Sequence, residues 1–352
     1  MSDVYERLAK YLDNLPAGYP ATDSGVELRI LKRWFTPEEA EVAMGLSMMP
    51  ETASAISERL NMDESSMAQI LESMSKKGLI MRSSKGAQKL YSAAMFAIGI
   101  WEYQVNKLDV GLVRDFNEYI PHFLEKTVKK QKTQQLRVIP VSKSISAEIS
   151  IMPYEEAETL IKKQSKIVVA DCICRKTHRM LGEGCEKPLE TCLAFGSAAY
   201  YYEENGLGRS IPQEEALEIL NMGLEAGLVL QPGNAQKTWV ICMCCGCCCD
   251  VLKNIKKWDK PAKYVNTSYY AAVNEEDCTA CETCMDRCQM DAITVDDIAH
   301  VDTDRCIGCG LCVVKCETDA ISLVGKNEAE RWIPPANIVE TYMKIAQERG
   351  KM

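Results

Sequence analysis

Two cysteine runs near the C-terminal end constrain this chain more than any other feature. Cys278, Cys281, Cys284 and Cys288 are spaced C-x2-C-x2-C-x3-C, and Cys306, Cys309, Cys312 and Cys316 repeat that spacing. Three thiols two residues apart let one short loop wrap three corners of a polynuclear metal core, and the fourth falls where a following helix begins. Zinc also uses C-x2-C pairs, but usually two pairs divided by a longer insert. Disulfides need an oxidising compartment, and the chain shows neither a signal-peptide pattern nor an apolar run long enough to span a bilayer. The most apolar stretch, Leu90 to Trp101, contains Ser92 and Gly99 and reads as a buried helix. Eighteen cysteines without an export signal point to metal or redox chemistry in a reducing cytoplasm. They also point to an anaerobic host, since thiolates oxidise readily.

The doubled spacing resembles the two-cluster bacterial ferredoxins. The resemblance implies that Cys278, Cys281, Cys284 and Cys316 hold one [4Fe–4S] cluster, and that Cys306, Cys309, Cys312 and Cys288 hold the second. One departure stands out: that family usually places Pro after the last cysteine, where this chain has Gln289 and Glu317. The departure bears on loop shape and reduction potential, not on the ligand set.

The net charge of −9 has a location. Between Glu275 and Gly325 there are 12 acidic and three basic residues, so this segment alone carries the whole imbalance. An acidic electron-transfer module suits a redox partner with a basic docking patch, found by electrostatic steering. A merely solvated face is the plainer reading.

The N-terminal part reads as helical with a winged end. Thr36-Pro37-Glu38-Glu39 is a helix start, with Thr as cap, Pro at the first helical position and Glu39 reaching back. Helices over Ala53–Leu60 and Ser65–Lys77 follow, then Gly78, then two short strands flanking the polar turn 83–87. The order resembles a winged helix-turn-helix domain. Met67, Ile70, Leu71 and Met74 make the core stripe of its second helix, leaving no Arg for guanine edges. Lys76, Lys77, Arg82, Lys85 and Lys89 form a basic wing suited to phosphates. Such a fold serves protein docking equally well.

A basic stretch from Lys126 to Arg137 reads as a linker or surface helix, and the region after it carries a weak internal duplication. Residues 150–157 resemble 210–216, each opening a capped helix with acids in its first turn. Apolar strands Ile167–Ala170 and Thr238–Ile241 follow, each running into a C-x-C. The first half supplies Cys172, Cys174, Cys185 and Cys192, a complete ligand set for a third iron–sulfur cluster or an all-cysteine zinc site, among the cations Arg175, Lys176, His178, Arg179 and Lys187. The second half supplies Cys242, Cys244, Cys245, Cys247, Cys248 and Cys249 around Gly246, with a helix from Asp250 to Lys257 beyond. Successive residues of an extended chain point to opposite sides, so six thiols this close cannot all face one cubane. Three readings stand open: ligands to another cubane, ligands shared with the first half, or a redox-active thiol pair.

Beyond the C-terminal segment, the chain resembles a family of anaerobe ferredoxin-domain proteins with an N-terminal winged helix and a cysteine-rich middle. Phe35-Thr36-Pro37-Glu38-Glu39-Ala40, Lys77-Gly78-Leu79-Ile80, residues 99–104 (GIWEYQ), Cys172-Ile173-Cys174-Arg175 and residues 242–247 (CMCCGC) carry that likeness. No dinucleotide fingerprint, phosphate loop or haem-attachment motif is found, so no NAD, flavin or haem is expected. With His122, His178 and His300 alone, a His-ligated catalytic metal is not expected.

The expectation is an α+β chain: residues 1–125 winged-helix-like, 126–265 cysteine-rich, 266–325 the two-cluster domain and 326–352 a helical tail. Its expected role is cytoplasmic iron–sulfur electron transfer, more a carrier than a stand-alone enzyme. The alternatives are a reductase using Cys242–Cys249 and a redox-responsive DNA-binding regulator.

Overall fold

The computed structural model describes residues 3–141, 144 and 152–351. They form two compact units, one of Met1–Gln131, Ser197–Arg209 and Ile345–Met352, the other of Lys132–Gly196 and Ser210–Lys344.

In the first unit five helices start at a side-chain cap. Asp3 caps α1 (Val4–Asn14), and α2 spans Val26–Trp34. The capping box of Thr36 and Glu39 starts α3 (Pro37–Met44) as the sequence indicates. Thr52 caps α4 (Ala53–Leu60) and Asp63 caps α5 (Glu64–Lys77), which stops at Gly78 in the left-handed region (φ 80°). The antiparallel wing of β1 (Ile80–Lys85) and β2 (Gln88–Ala93) turns through Gly86. Leu90 to Ala93 is therefore strand rather than buried helix: it pairs with Ser83 to Ile80, and Tyr91 and Ser92 are buried. Asp109 caps α6 (Val110–Thr127), and a 3-10 turn over Val128–Lys130 follows. The core is aromatic, with Trp101 stacked on Phe116 at 3.5 Å and Phe96 edge-on to Tyr19, Tyr119 and Phe123. Residues 197–209 belong to this unit: the Tyr201 hydroxyl donates to the carbonyls of Ser75 and Ile80 at 3.0 and 2.9 Å.

The second unit is built on a five-stranded sheet. In chain order come α7 (Ala157–Lys162), β3 (Ile167–Asp171), α8 (Ile173–Met180), β4 (Glu190–Phe195), β5 (Arg209–Ile211), α10 (Gln213–Glu225), β6 (Val229–Pro232), β7 (Val240–Cys244) and α11 (Asp250–Ile255), while α9 (Gly196–Glu204), between β4 and β5, belongs to the first unit. The strand order is β5-β3-β4-β7-β6, with β4 antiparallel to β3 and β7, and β6 antiparallel to β7. Register sorts the side chains onto two faces. Val169, Leu193, Ile241 and Leu230 share an apolar cluster with Leu160 and Ile161 of α7 and Ile219 and Leu220 of α10. The opposite face carries Cys192 directly across from Cys242, with Cys244 two residues on. The duplication is visible as strand β3 leading to α8 and β7 leading to α11, with Cys172 and Cys249 as the flanking residues. Ser150 and Ile151 of the first copy lie outside the described residues. Neither α7 nor α10 has a side-chain cap, because Glu156 and Pro212 occupy those positions.

The rest of this unit holds the repeated motifs. Strand β8 (Tyr269–Val273) pairs with β11 (Ile321–Gly325), and β9 (Ile293–Val295) with β10 (Ala299–Val301), both antiparallel. Short α12 (Thr283–Arg287) lies within the first motif and ends at Cys288, so the fourth cysteine closes a helix rather than opening one, and α13 (Ile338–Glu348) ends the order. The two motifs share one backbone pattern. Ala280 and Glu282 have φ of 53° and 62°, and Gly308 and Gly310, at the matching positions, have 66° and 74°. The second motif thus uses glycine where the tight loop turns left-handed, while the first bears the strain with side chains.

Candidate metal centres

Cys278, Cys281, Cys284 and Cys316 line one pocket, closed by Val273, Val295, Ala299, Ala320 and Ile321. Three cysteines of the first motif thus line one pocket with the last of the second. Cys288 stands with Cys306, Cys309 and Cys312, close enough to raise the pKa of each. Burial drives this second set: it pushes the Cys309 thiol up to about 12 and raises Cys306 and Cys312. Backbone N–H groups reach the sulfurs, from Ala299 to Cys278 at 3.3 Å, Ala292 to Cys288 at 3.3 Å and Ala271 to Cys306 at 3.4 Å. Soft donors, a pocket spanning both motifs and N–H groups aimed at sulfur fit a [4Fe–4S] group at each set.

The first set is the more open. Cys281 is exposed, whereas Cys312 is buried. All 12 acidic residues of 275–325 are exposed. The three cations of that segment turn toward backbone or a neighbouring acid. Arg287 donates to the carbonyls of Leu224 and Glu225, Arg305 to those of Lys256 and Met290, and Lys315 pairs with Glu225 at 2.8 Å.

The central cysteines sort differently from their order in sequence. Cys185 joins Cys245, Cys247 and Cys248, all four sulfurs lying within 4.8 Å of one another. Sulfur separations are 3.9 Å to Cys245 and 3.7 Å from Cys248 to Cys185 and to Cys247. A tetrahedron with metal–sulfur bonds of about 2.3 Å has edges of about 3.8 Å, so this set fits one tetrahedral ion. The other six thiols form a chain of side-chain contacts running Cys172, Cys174, Cys249, Cys244, Cys242, Cys192. The cysteines of 172–192 are thus divided between two groups, and each group draws on both halves of the duplication.

Arg175 lies between the groups, wholly buried. Its guanidinium donates to the Met243 carbonyl at 3.0 Å and to the Thr191 hydroxyl, and lies 3.8 Å from the Cys245 sulfur. Burial would lower its pKa, but the nearby sulfurs of Cys172, Cys244 and Cys245 hold it above the ordinary arginine value. The contact with Cys174, together with Arg175, brings the Cys172 thiol down to about 7.

Gln289, where the related ferredoxins place Pro, links the two regions of this unit. Its Oε1 accepts the Gly246 N–H at 2.9 Å. A Cβ on Gly246 would fall 1.9 Å from the Gln289 carbonyl oxygen, so close approach is what requires glycine there. The sequence marked Gln289 as unusual, but only the fold shows what it touches.

Residues 271–294 and 299–322 match the 4Fe-4S binding domain family, and residues 35–97 match the family of the sugar-specific transcriptional regulator TrmB. No curated protein and no solved structure matches the chain. The C-terminal segment is thus a pair of [4Fe–4S] ferredoxin domains, and the N-terminal one is of winged-helix type, in an α+β chain. Iron–sulfur electron transfer is the chemistry that the repeated domain indicates.

The basic wing looks different once folded. Arg82 is buried and held by Glu72 at 2.6 Å and Glu204 at 2.7 Å. Lys89 and Lys76 also pair with Glu72, and Lys77 with Glu39 at 2.7 Å. Glu72 is the hub that offsets the cations around it. No helix of the described residues is long and apolar enough to cross a membrane.

Proposed function

We propose that this chain relays low-potential electrons between redox partners, taking them at the acidic edge near Cys281 and passing them inward past Cys288 to the central thiols. The observation that carries the reading is the Gly246 N–H bond to Gln289, the residue next to Cys288. It joins the buried ferredoxin set to the central loop across one hydrogen bond. In this reading Cys278, Cys281, Cys284 and Cys316 hold one [4Fe–4S] cluster, and Cys288, Cys306, Cys309 and Cys312 the other. When bound, these clusters store and release single electrons. The chain insulates the second set by burial, donates N–H groups to sulfur to set potential, and presents carboxylates to a basic partner. Cys185, Cys245, Cys247 and Cys248 hold one tetrahedral ion, and an S4 set suits zinc and iron alike.

Reduction by small dyes tests the entry point. A cationic viologen should reduce the protein more slowly as salt rises, and an anionic quinone sulfonate faster, because salt screens opposite signs of interaction. Equal salt dependence for both dyes would remove the acidic edge from the account.

A second reading, a DNA-binding regulator, is favoured by the match over residues 35–97. The Glu72 and Glu204 pairs weigh against it, since they leave less basic charge for phosphates. Salt-dependent binding of duplex DNA, abolished by Lys85→Glu with Lys89→Glu, would establish it.

A further inference from the structure

We propose that Cys172, Cys174, Cys192, Cys242, Cys244 and Cys249 form one further iron–sulfur centre, with more thiolate ligands than a cubane takes, separate from the four-thiol site. The inference deepens the relay reading and rests on it for the choice of iron.

Three observations carry it. First, the fold gathers these residues from five places: the ends of β3 and β7, the middle of β4, the first turn of α8 and the residue before α11. Strand register puts Cys192 opposite Cys242, and period-two alternation keeps Cys244 on that same face. Gln231, also paired with Cys242, directs its amide to the Cys249 sulfur at 3.8 Å. Second, the shape is wrong for one ion. Among the described residues, the four-thiol set alone gathers its sulfurs within 4.8 Å of one another. The six are strung instead as a chain of neighbours, with Cys192 and Cys242 paired across β4 and β7 at one end. A chain of thiolates suits several metal atoms bridged by sulfide. A cubane has four irons and takes one thiolate on each, so six thiolates exceed it.

Third, the partner of Arg175 is sulfur. A buried guanidinium needs a counter-charge. Its polar neighbours are a carbonyl, a hydroxyl and a thiol, with Cys172 and Cys244 close enough to stabilise its charge. Sulfur is thus the group that the buried cation faces, and thiolates held by a metal would supply its counter-charge.

Full-length protein purified without oxygen is assayed for iron, acid-labile sulfide and zinc, in the wild type, in Cys174→Ser/Cys242→Ser and in Cys281→Ser. The wild type should hold about four or more irons beyond the roughly eight of two cubanes. The double variant should lose that excess and keep the ferredoxin EPR signals. Cys281→Ser should lose ferredoxin iron and keep the excess, so failure of the ferredoxin reading shows separately. Where the double variant fails to fold, Cys192→Ser removes one thiol and should change the Mössbauer spectrum of the excess iron alone. The proposal is overturned by excess iron that survives in the double variant, or by six thiols open to anaerobic alkylation in iron-loaded wild type. Zinc in place of the excess iron overturns it equally.

Discussion

Single residues decide how tightly the metal-binding loops can be drawn. Both motifs turn left-handed at the second and fourth positions after their first cysteine, and only the second motif uses glycine there. An L side chain in that region costs about 1–2 kcal/mol, part of which glycine's extra chain entropy offsets. Ala280→Gly should therefore raise stability by about 0.5–1 kcal/mol, seen as a higher denaturant midpoint in anaerobic unfolding. Gly246 is the opposite case, since the Gln289 carbonyl leaves no room for a methyl group. Gly246→Ala should destabilise by about 1–3 kcal/mol and alter the EPR of the Cys288-bound cluster more than that of its neighbour. A variant with wild-type stability and spectra would show that this contact does not govern either region.

At the scale of elements, what could be read in advance was what is local. Cap, helix, glycine stop and hairpin of the winged domain are each set by residues a few positions apart. So is the ferredoxin ligand spacing, whose crossed pairing came from resemblance. The central thiols were illegible because strand register chooses their neighbours: Cys192 and Cys242 meet across β4 and β7 although 50 residues separate them. The signal that was present is Cys242 and Cys244 at strand period, which puts both on one face. The acidic partners of the wing were hidden for a similar reason. Its cations looked uncompensated until α5 brought Glu72 against Arg82 and Lys89. Burial would raise the Glu72 carboxyl, but Lys89 and Arg82 hold it below the usual carboxylate range. A carboxyl so depressed stabilises the fold above its unfolded pKa and loses that contribution as pH falls through the folded value. Glu72→Gln should thus weaken amide-exchange protection of β1 and β2 at pH 7 by about 1–3 kcal/mol. The gap from wild type should close below about pH 4. A gap independent of pH would mean that packing, not charge, is what Glu72 provides.

At the scale of the whole molecule, charge and metal-binding residues are distributed unevenly. The segment that carries all of the net charge also carries the doubled motif, and its acids face outward while its three cations are used within the fold. Behind it, within the same unit, ten further cysteines fall into a compact four and an extended six around one buried guanidinium. In the relay reading the acidic edge takes up the electrons and these central thiols receive them. The most direct test is low-temperature EPR with spin counting on dithionite-reduced, anaerobically purified protein. The account predicts two or more reduced [4Fe–4S] signals broadened by mutual interaction, with the sulfide content to match. A single isolated signal, or zinc with no sulfide, would contradict it.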